Sequence, residues 1–348
     1  MVLPISKIFP KAKFRMNKIN ESMHFKNGKF RNQTSWISTP LGKNLGTLWK
    51  FLFGGEQRTP GKRLPVHPVE LHHFANPGNN GLKAAWLGHS SLLIHIDGYK
   101  ILTDPVFQKK VSFLGPSRFN GDVPLDINLL PEIDVVIVSH NHYDHLNKFS
   151  IQRLKEKTKS FIVPLAVGAQ LEQWGVDRQK IIELDWWQEY PVTNDLKIAA
   201  TPAQHFSGRG FSDRDVTLWA SWVIQAPVHT IFFSGDSGYF KGFKEIGDNY
   251  GPFDMTFLEC GAYHEEWHDI HMYPEETLQA HLDLKGEILL PIHWSTLNLS
   301  LHPWYEPIKR LSAAAGNAHV KLATPMVGET TVYGSYIPSQ KWWEPLIL

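Results

Sequence analysis

Residues 136–146 read Val-Ile-Val-Ser-His-Asn-His-Tyr-Asp-His-Leu. The longer run "IDVVIVS", residues 133–139, is almost continuously apolar and rich in β-branched side chains, which predicts a strand covered on both faces. At its carboxyl end come three histidines and an aspartate within six residues. In extended chain alternate side chains point the same way, so His140, His142 and Asp144 can share one side while His145 turns with the chain. One short loop therefore offers two ligand sets. His140 and His142 suit one metal ion, and Asp144 and His145 suit a second about 3.5–4 Å away, as in two-metal hydrolytic sites.

Each ion needs further partners, and three other strand-like runs end in them: His205 follows "IAATPAQ", Asp236 follows "TIFFSG", and His293 follows "ILLPI". A carboxylate between two ions can bridge them, which suits Asp236. The single cysteine, Cys260, excludes an intramolecular disulfide framework and a Cys-rich zinc site. The ligands are then His and carboxylate, a set that suits catalytic zinc, with iron or manganese admissible by ligand type.

The rest of the chain frames this centre. Among 348 residues, 35 Lys+Arg stand against 34 Asp+Glu, so no global basic field points to nucleic acid. The N-terminus lacks an apolar core of signal-peptide length, and no run approaches the roughly 20 residues of a spanning helix. The expectation is a soluble, cytoplasmic protein. Residues 45–55, "LGTLWKFLFGG", qualify it: an apolar, aromatic segment of this kind suits peripheral contact with a membrane surface, an acyl-lining role, or packing on the core.

Residues 1–80, rich in Lys, Asn, Gly and Pro, read as an irregular extension packing on the core. From residue 81 to 348 the chain reads as one domain. "LKAAWL", "SLLIHI" and "KILTD" open a β-meander, and helical and strand-like segments then alternate to the end. In "PEETLQAHLDL", Pro274 suits a first helical turn, and Glu275 and Glu276 complement the positive end of the helix. This pattern predicts a layered α/β protein.

"HNHYDH" with His205, Asp236 and His293 resembles the metallo-β-lactamase superfamily, whose pattern is HxHxDH followed by separate His, Asp and His. The resemblance implies a four-layer αββα sandwich with a dimetal site at one edge of the two sheets. It implies two zinc ions: one on His140, His142 and His205, the other on Asp144, His145 and His293, with Asp236 bridging. Asp104 in "LTDP" resembles the family's early aspartate, which supports the ligands from behind. Together "WLGHSS", "LTDPVF", "GPSRF", "ELDWW", "TPAQHF", "LWASW", "GDSGY" and "HMYPEE" are similar to the N-acylphosphatidylethanolamine-hydrolysing phospholipase D family. The likeness runs from about Trp86 to His293.

That narrower resemblance implies a phospholipid substrate, a phosphodiester cleaved to phosphatidic acid and N-acylethanolamine, and, since the family includes dimers, a homodimer. Asp144 and Asp236 would hold the ions and orient the attacking water, while a histidine outside the ligand set serves the leaving group. His271 in "HMYPEE" is the choice for that role, with His264 and His89 as further site candidates. Trp186, Trp187, Trp219 and Trp222 are candidates for an acyl pocket, against the alternative of core packing. The rival activities are hydrolysis of small soluble substrates such as sugar-phosphate lactones, or of phosphodiesters broadly.

Overall fold

The computed structural model describes residues 10–34, 49, 54, 57–75, 80–112, 115–210 and 212–347. The apolar segment at 45–55 lies outside the described residues apart from Trp49 and Gly54. Among the described residues, no helix is long and apolar enough to cross a membrane.

The N-terminal region is not irregular throughout. A helix, α1 (Pro10–Glu21), leads into a hairpin of β1 (Phe25–Lys26) and β2 (Lys29–Phe30). The hairpin turns at Asn27-Gly28, both with positive φ (54° and 77°), the backbone that a two-residue turn requires and that Asn-Gly adopts at low cost. That dipeptide is a signal the sequence reading passed over. Ile19 and Phe30 anchor this region in the hydrophobic core, and Arg15 pairs with the buried Glu183 at 2.6 Å.

Two seven-stranded sheets form the body. The first contains β3 (Leu82–Gly88), β4 (Ser91–Ile96), β5 (Tyr99–Thr103), β6 (Ile133–Ile137), β7 (Thr158–Pro164) and β8 (Ile181–Leu184) in that order. The second contains β9 (Glu189–Pro191), β10 (Lys197–Thr201), β11 (Ser221–Gln225), β12 (Thr230–Phe233), β13 (Phe253–Glu259), β14 (Gly286–Ile292) and β15 (Lys321–Leu322). A short C-terminal strand, β16 (Thr330–Val332), returns to pair with β3 and completes the first sheet. Each sheet is antiparallel over one half and parallel over the other.

The expected double coverage of "IDVVIVS" is seen residue by residue. Val135 and Ile137 point into the core between the sheets, while Val136 and Val138 pack on the other face with Ile151, Leu154 and Leu171 of the covering helices. This is the two-residue period of a strand with no solvent-facing side. On the second sheet, helices at Gly242–Tyr250, Pro274–Asp283 and Glu306–Asn317 bury Phe243, Ile246, Leu278, Ile308 and Leu311 in the same core. The result is the four-layer αββα sandwich.

Strand direction decides where chemistry can gather. β3, β5 and β6 run one way in the first sheet, and β10, β12, β13 and β14 share a direction in the second. Ligand sites of α/β sheets lie beyond the carboxyl ends of such strands. His89, Asp104, His140, His205, Asp236, Glu259 and His293 all stand at or just after those ends.

Candidate metal centre

Two groups of side chains converge there. His140, His142, His205 and Asp236 bring one ligand atom each within 4.8 Å of one another, and so do His89, Asp144, His145 and His293. In the first group, Nε2 of His140 lies 2.7 Å from Nδ1 of His142, which lies 3.3 Å from Nε2 of His205. In the second, Oδ2 of Asp144 lies 3.6 Å from Nε2 of His145 and 3.8 Å from Nε2 of His293. Ligand atoms of a tetrahedral zinc ion stand about 3.3 Å apart, given bonds near 2.05 Å. The separations in the two groups, 2.7–3.8 Å, bracket that spacing.

Asp236 joins them. Its Oδ2 faces Nε2 of His145 at 3.1 Å, His293 at 3.2 Å, His205 at 3.7 Å and His140 at 3.9 Å. Oδ1 of Asp236 and Nε2 of both His145 and His293 are buried with no hydrogen-bond partner. Buried polar atoms without partners are costly, and several aimed at one point fit a cation. The chemistry of the donors, imidazole and carboxylate, fits the same group.

Hydrogen bonds behind the rings fix which nitrogen faces inward. His145 donates from Nδ1 to Oδ2 of Asp104 at 2.7 Å. Ser139 donates from Oγ to the same oxygen at 2.6 Å and from its backbone N to Oδ1 at 2.7 Å, leaving Oγ to accept from Nδ1 of His140 at 2.9 Å. Asp104, with no exposed surface, thus orients two imidazoles, one directly and one through Ser139. His205 is held by the carbonyl of Ile270, 3.0 Å from its Nδ1.

The electrostatics ask for positive charge. Burial holds His140 and His205 well below the ordinary histidine range and His142 down to about 4, so their lone pairs are free. At His145 and His293 burial acts in the same direction but is overcome. The carboxylates of Asp236, Asp144 and Asp104 hold His145 well above its usual value, and those of Asp236, Asp144 and Glu259 raise His293 to about 10. Burial also opposes ionisation of Asp144 and Asp236, yet the facing histidines keep both well below the carboxylate range.

The other expected site residues divide. His89 is buried, and its Nε2 donates to Oδ2 of Asp144 at 2.9 Å; burial holds it down to about 3, so it serves as a neutral donor that steers Asp144. His89, Asp104 and His293 all have positive φ (55°, 34° and 64°), strained backbone of the kind that clusters at functional sites. His271 meets Asp236 and His293 in a third group within 4.8 Å. His264 does not join: it caps the turn Glu265–Ile270 by accepting from the backbone N of Glu266 and stacks on Trp267. Trp222 has no exposed surface and lies in the core, as Trp186 and Trp219 nearly do, because β11 points it between the sheets. Trp187 is half-buried and packs on that core.

Several residues of the site escaped the sequence reading. Glu259, with no exposed surface, accepts from Nδ1 of His271 at 2.7 Å and from the backbone N of Met272 at 2.6 Å. A carboxylate closing the buried run "MTFLE" was the available signal. Arg209 lies over the ring of Tyr143 at 3.7 Å and donates to the carbonyls of Asn141 and Leu146, clamping the ligand loop from outside. Gly238 lets the His271 turn approach: a Cβ there would stand 2.2 Å from the carbonyl oxygen of Asp269.

A family model described as a β-lactamase superfamily domain matches residues 99–294. An uncharacterized protein of Mycobacterium tuberculosis is 45% identical over 332 residues, covering 93% of this chain and 88% of its own. A Caenorhabditis elegans protein named N-acyl-phosphatidylethanolamine-hydrolyzing phospholipase D 1 is 30% identical over 310 residues, covering 82% and 86%. Among solved structures, the metallo hydrolase Igni18 of Ignicoccus hospitalis superposes with a TM-score of 0.57 at 24% identity, covering 74% of this chain and all of that one. With this match, the αββα sandwich and the converging His/Asp groups, the chain belongs to the metallo-β-lactamase superfamily of metal-dependent hydrolases.

Proposed function

We propose that the protein is a dizinc phosphodiesterase of phospholipase D type that hydrolyses N-acylphosphatidylethanolamine to N-acylethanolamine and phosphatidic acid. The observation that carries the dinuclear reading is Oδ2 of Asp236, faced by ring nitrogens from both ligand groups at 3.1–3.9 Å. His140, His142 and His205 would hold one ion, Asp144, His145 and His293 the other, and Asp236 both. Two divalent cations so held would supply Lewis acidity and a nucleophilic water near neutral pH.

The chain's own residues do the rest. Asp104 and Ser139 keep His140 and His145 in the tautomers that face the site, and His89 fixes the rotation of Asp144. With Nδ1 of His271 committed to Glu259, Nε2 is the nitrogen left to serve a reacting group. Attack of water on phosphorus breaks the bond to the ethanolamine oxygen. The leaving oxygen takes up a proton; His271 would deliver it from Nε2, having first taken it up there from water, while Nδ1 stays on Glu259. The lipid assignment is supported by the C. elegans relative and by "HMYPEE", "LWASW" and "ELDWW" in the sequence.

The test is mass-spectrometric identification of products after zinc-loaded protein is incubated with N-acylphosphatidylethanolamine. Release of N-acylethanolamine together with phosphatidic acid is expected. No release from this lipid, with simpler phosphodiesters still hydrolysed, would refute the substrate.

A further inference from the structure

His205 follows β10 at a point where the sheet ladder has given out. Its neighbour Gln204 still pairs with Gly238, whose backbone N donates to the Gln204 carbonyl at 2.9 Å. The backbone of His205 itself is completed by a side chain from far away in sequence. Asn32 accepts from the His205 backbone N through Oδ1 at 3.1 Å and donates from Nδ2 to the His205 carbonyl at 2.7 Å. Oδ1 of Asn32 also accepts from Nε1 of Trp219 at 3.1 Å. One amide group thus occupies both polar groups of a residue whose imidazole reaches into the metal centre, doing for His205 what a neighbouring strand would do.

The support on either side of Asn32 makes this a built contact. Phe30 is buried in the core, and its backbone N donates to the carbonyl of Asp215 at 2.8 Å. Thr34 donates from Oγ1 to Oε1 of Gln204 at 2.9 Å, and Gln204 returns a bond from Nε2 to the Thr34 carbonyl at 3.3 Å. Residues 30–34 therefore bond to Gln204, His205, Asp215 and Trp219, pinned at both ends. His205 carries one more constraint, from Nδ1 to the carbonyl of Ile270. That bond sets the rotation of the ring, whereas Asn32 sets the position of the backbone from which the ring projects.

We infer that Asn32 is a positioning residue of the metal centre, and that the N-terminal segment 30–34 is part of that centre through its hold on His205. The inference rests on the proposed role of His205 as a ligand of one of two ions. Because only the group containing His205 depends on this contact, loss of Asn32 affects one ion selectively. A general loss of stability would act on both.

The experiment is titration of metal-free, full-length protein with cobalt(II), following the visible absorption of each equivalent and its affinity by competition with a chelator. Wild-type protein is expected to take up two equivalents. In Asn32→Ala one equivalent should weaken about 10-fold or more and change its absorption, while the other is unaltered. Asn32→Asp keeps both acceptor contacts but sets an oxygen against the His205 carbonyl in place of a donor, and it should weaken the same equivalent. This near-isosteric variant decides the matter if Asn32→Ala fails to fold. Two unchanged equivalents in folded Asn32→Ala, or wild-type behaviour of Asn32→Asp in that case, would overturn the inference and leave the metal reading standing. So would equal weakening of both. Wild-type protein that takes up no cobalt would overturn the metal reading and this inference with it.

Discussion

Nδ1 of His271 lies 2.7 Å from Oε2 of Glu259, a carboxylate with no exposed surface at the end of β13. An ionised Glu259 can only accept, so His271 donates to it from Nδ1 and Nε2 is the nitrogen left over; the His271 ring lies in one group with Asp236 and His293. In the proposed mechanism His271 serves a reacting group and is not one of the ligands of the ions. His271→Asn is therefore expected to lower kcat by about 10²–10⁴-fold with metal content unchanged. Glu259→Gln, which loosens the ring without removing it, should cost less. Activity of His271→Asn within about threefold of wild type, at equal metal content, would remove His271 from the mechanism.

Asp236 is the residue whose loss should reach both ions. Its Oδ2 alone faces all four of His140, His145, His205 and His293. In Asp236→Asn one oxygen becomes a donor or turns away, and the buried imidazoles lose their counter-charge. Metal analysis should fall from two equivalents to one or fewer, and activity by at least about 100-fold. Retention of two tightly held equivalents would show that Asp236 does not bridge.

Gly238 tests how closely the His271 turn must sit. A methyl group there would meet the backbone of Asp269 at 2.2–2.3 Å, and backbone cannot give way as a flexible side chain can. Gly238→Ala should cost about 1–3 kcal/mol in stability. Displacement of His271 by even 1 Å should lower kcat by about 100-fold. Measuring kcat at matched metal content separates this from loss of the ions.

His281 sits away from the metal centre, on the buried face of the helix Pro274–Asp283, bonded through Nδ1 to Oγ1 of Thr256 at 2.8 Å. Burial lowers it to about 4 from the ordinary 6.5. Its folded value lies below its unfolded one, so between these values the unfolded chain binds the extra proton. Stability contributed by the neutral ring is complete above pH 6.5, declines as pH falls, and is lost by about pH 4. The whole decline amounts to about 3 kcal/mol. Denaturant unfolding across this window should therefore show a shallower pH dependence for His281→Gln than for wild type; equal slopes would refute the assignment.

What could be read from the chain was what is local. The apolar run "IDVVIVS" and the histidine loop after it lie together in sequence, so strand, double burial and the first candidate ligands were visible in one stretch. His205, Asp236 and His293 were legible for the same reason: each follows its own apolar run, and strands of one direction deliver their ends to one edge. Asp104 was legible through its motif. The Asn27-Gly28 turn was equally local and could have been found.

Tertiary structure alone decided which polar groups complete these ligands and which aromatic residues face one another. Glu259 and His271 are 12 residues apart, and Asn32 and His205 are 173 apart. No periodicity links such pairs, because a hydrogen bond across a fold depends on how elements pack and not on spacing along the chain. The tryptophans were ambiguous for a related reason. An indole that lines a pocket and one that fills a core look alike in sequence, and only the closed sandwich places Trp222 in the core with no surface left for a ligand. The sequence by itself determined the candidate ligand types and a layered α/β protein, with the sandwich implied by family resemblance; packing decided how each candidate ligand is held in place.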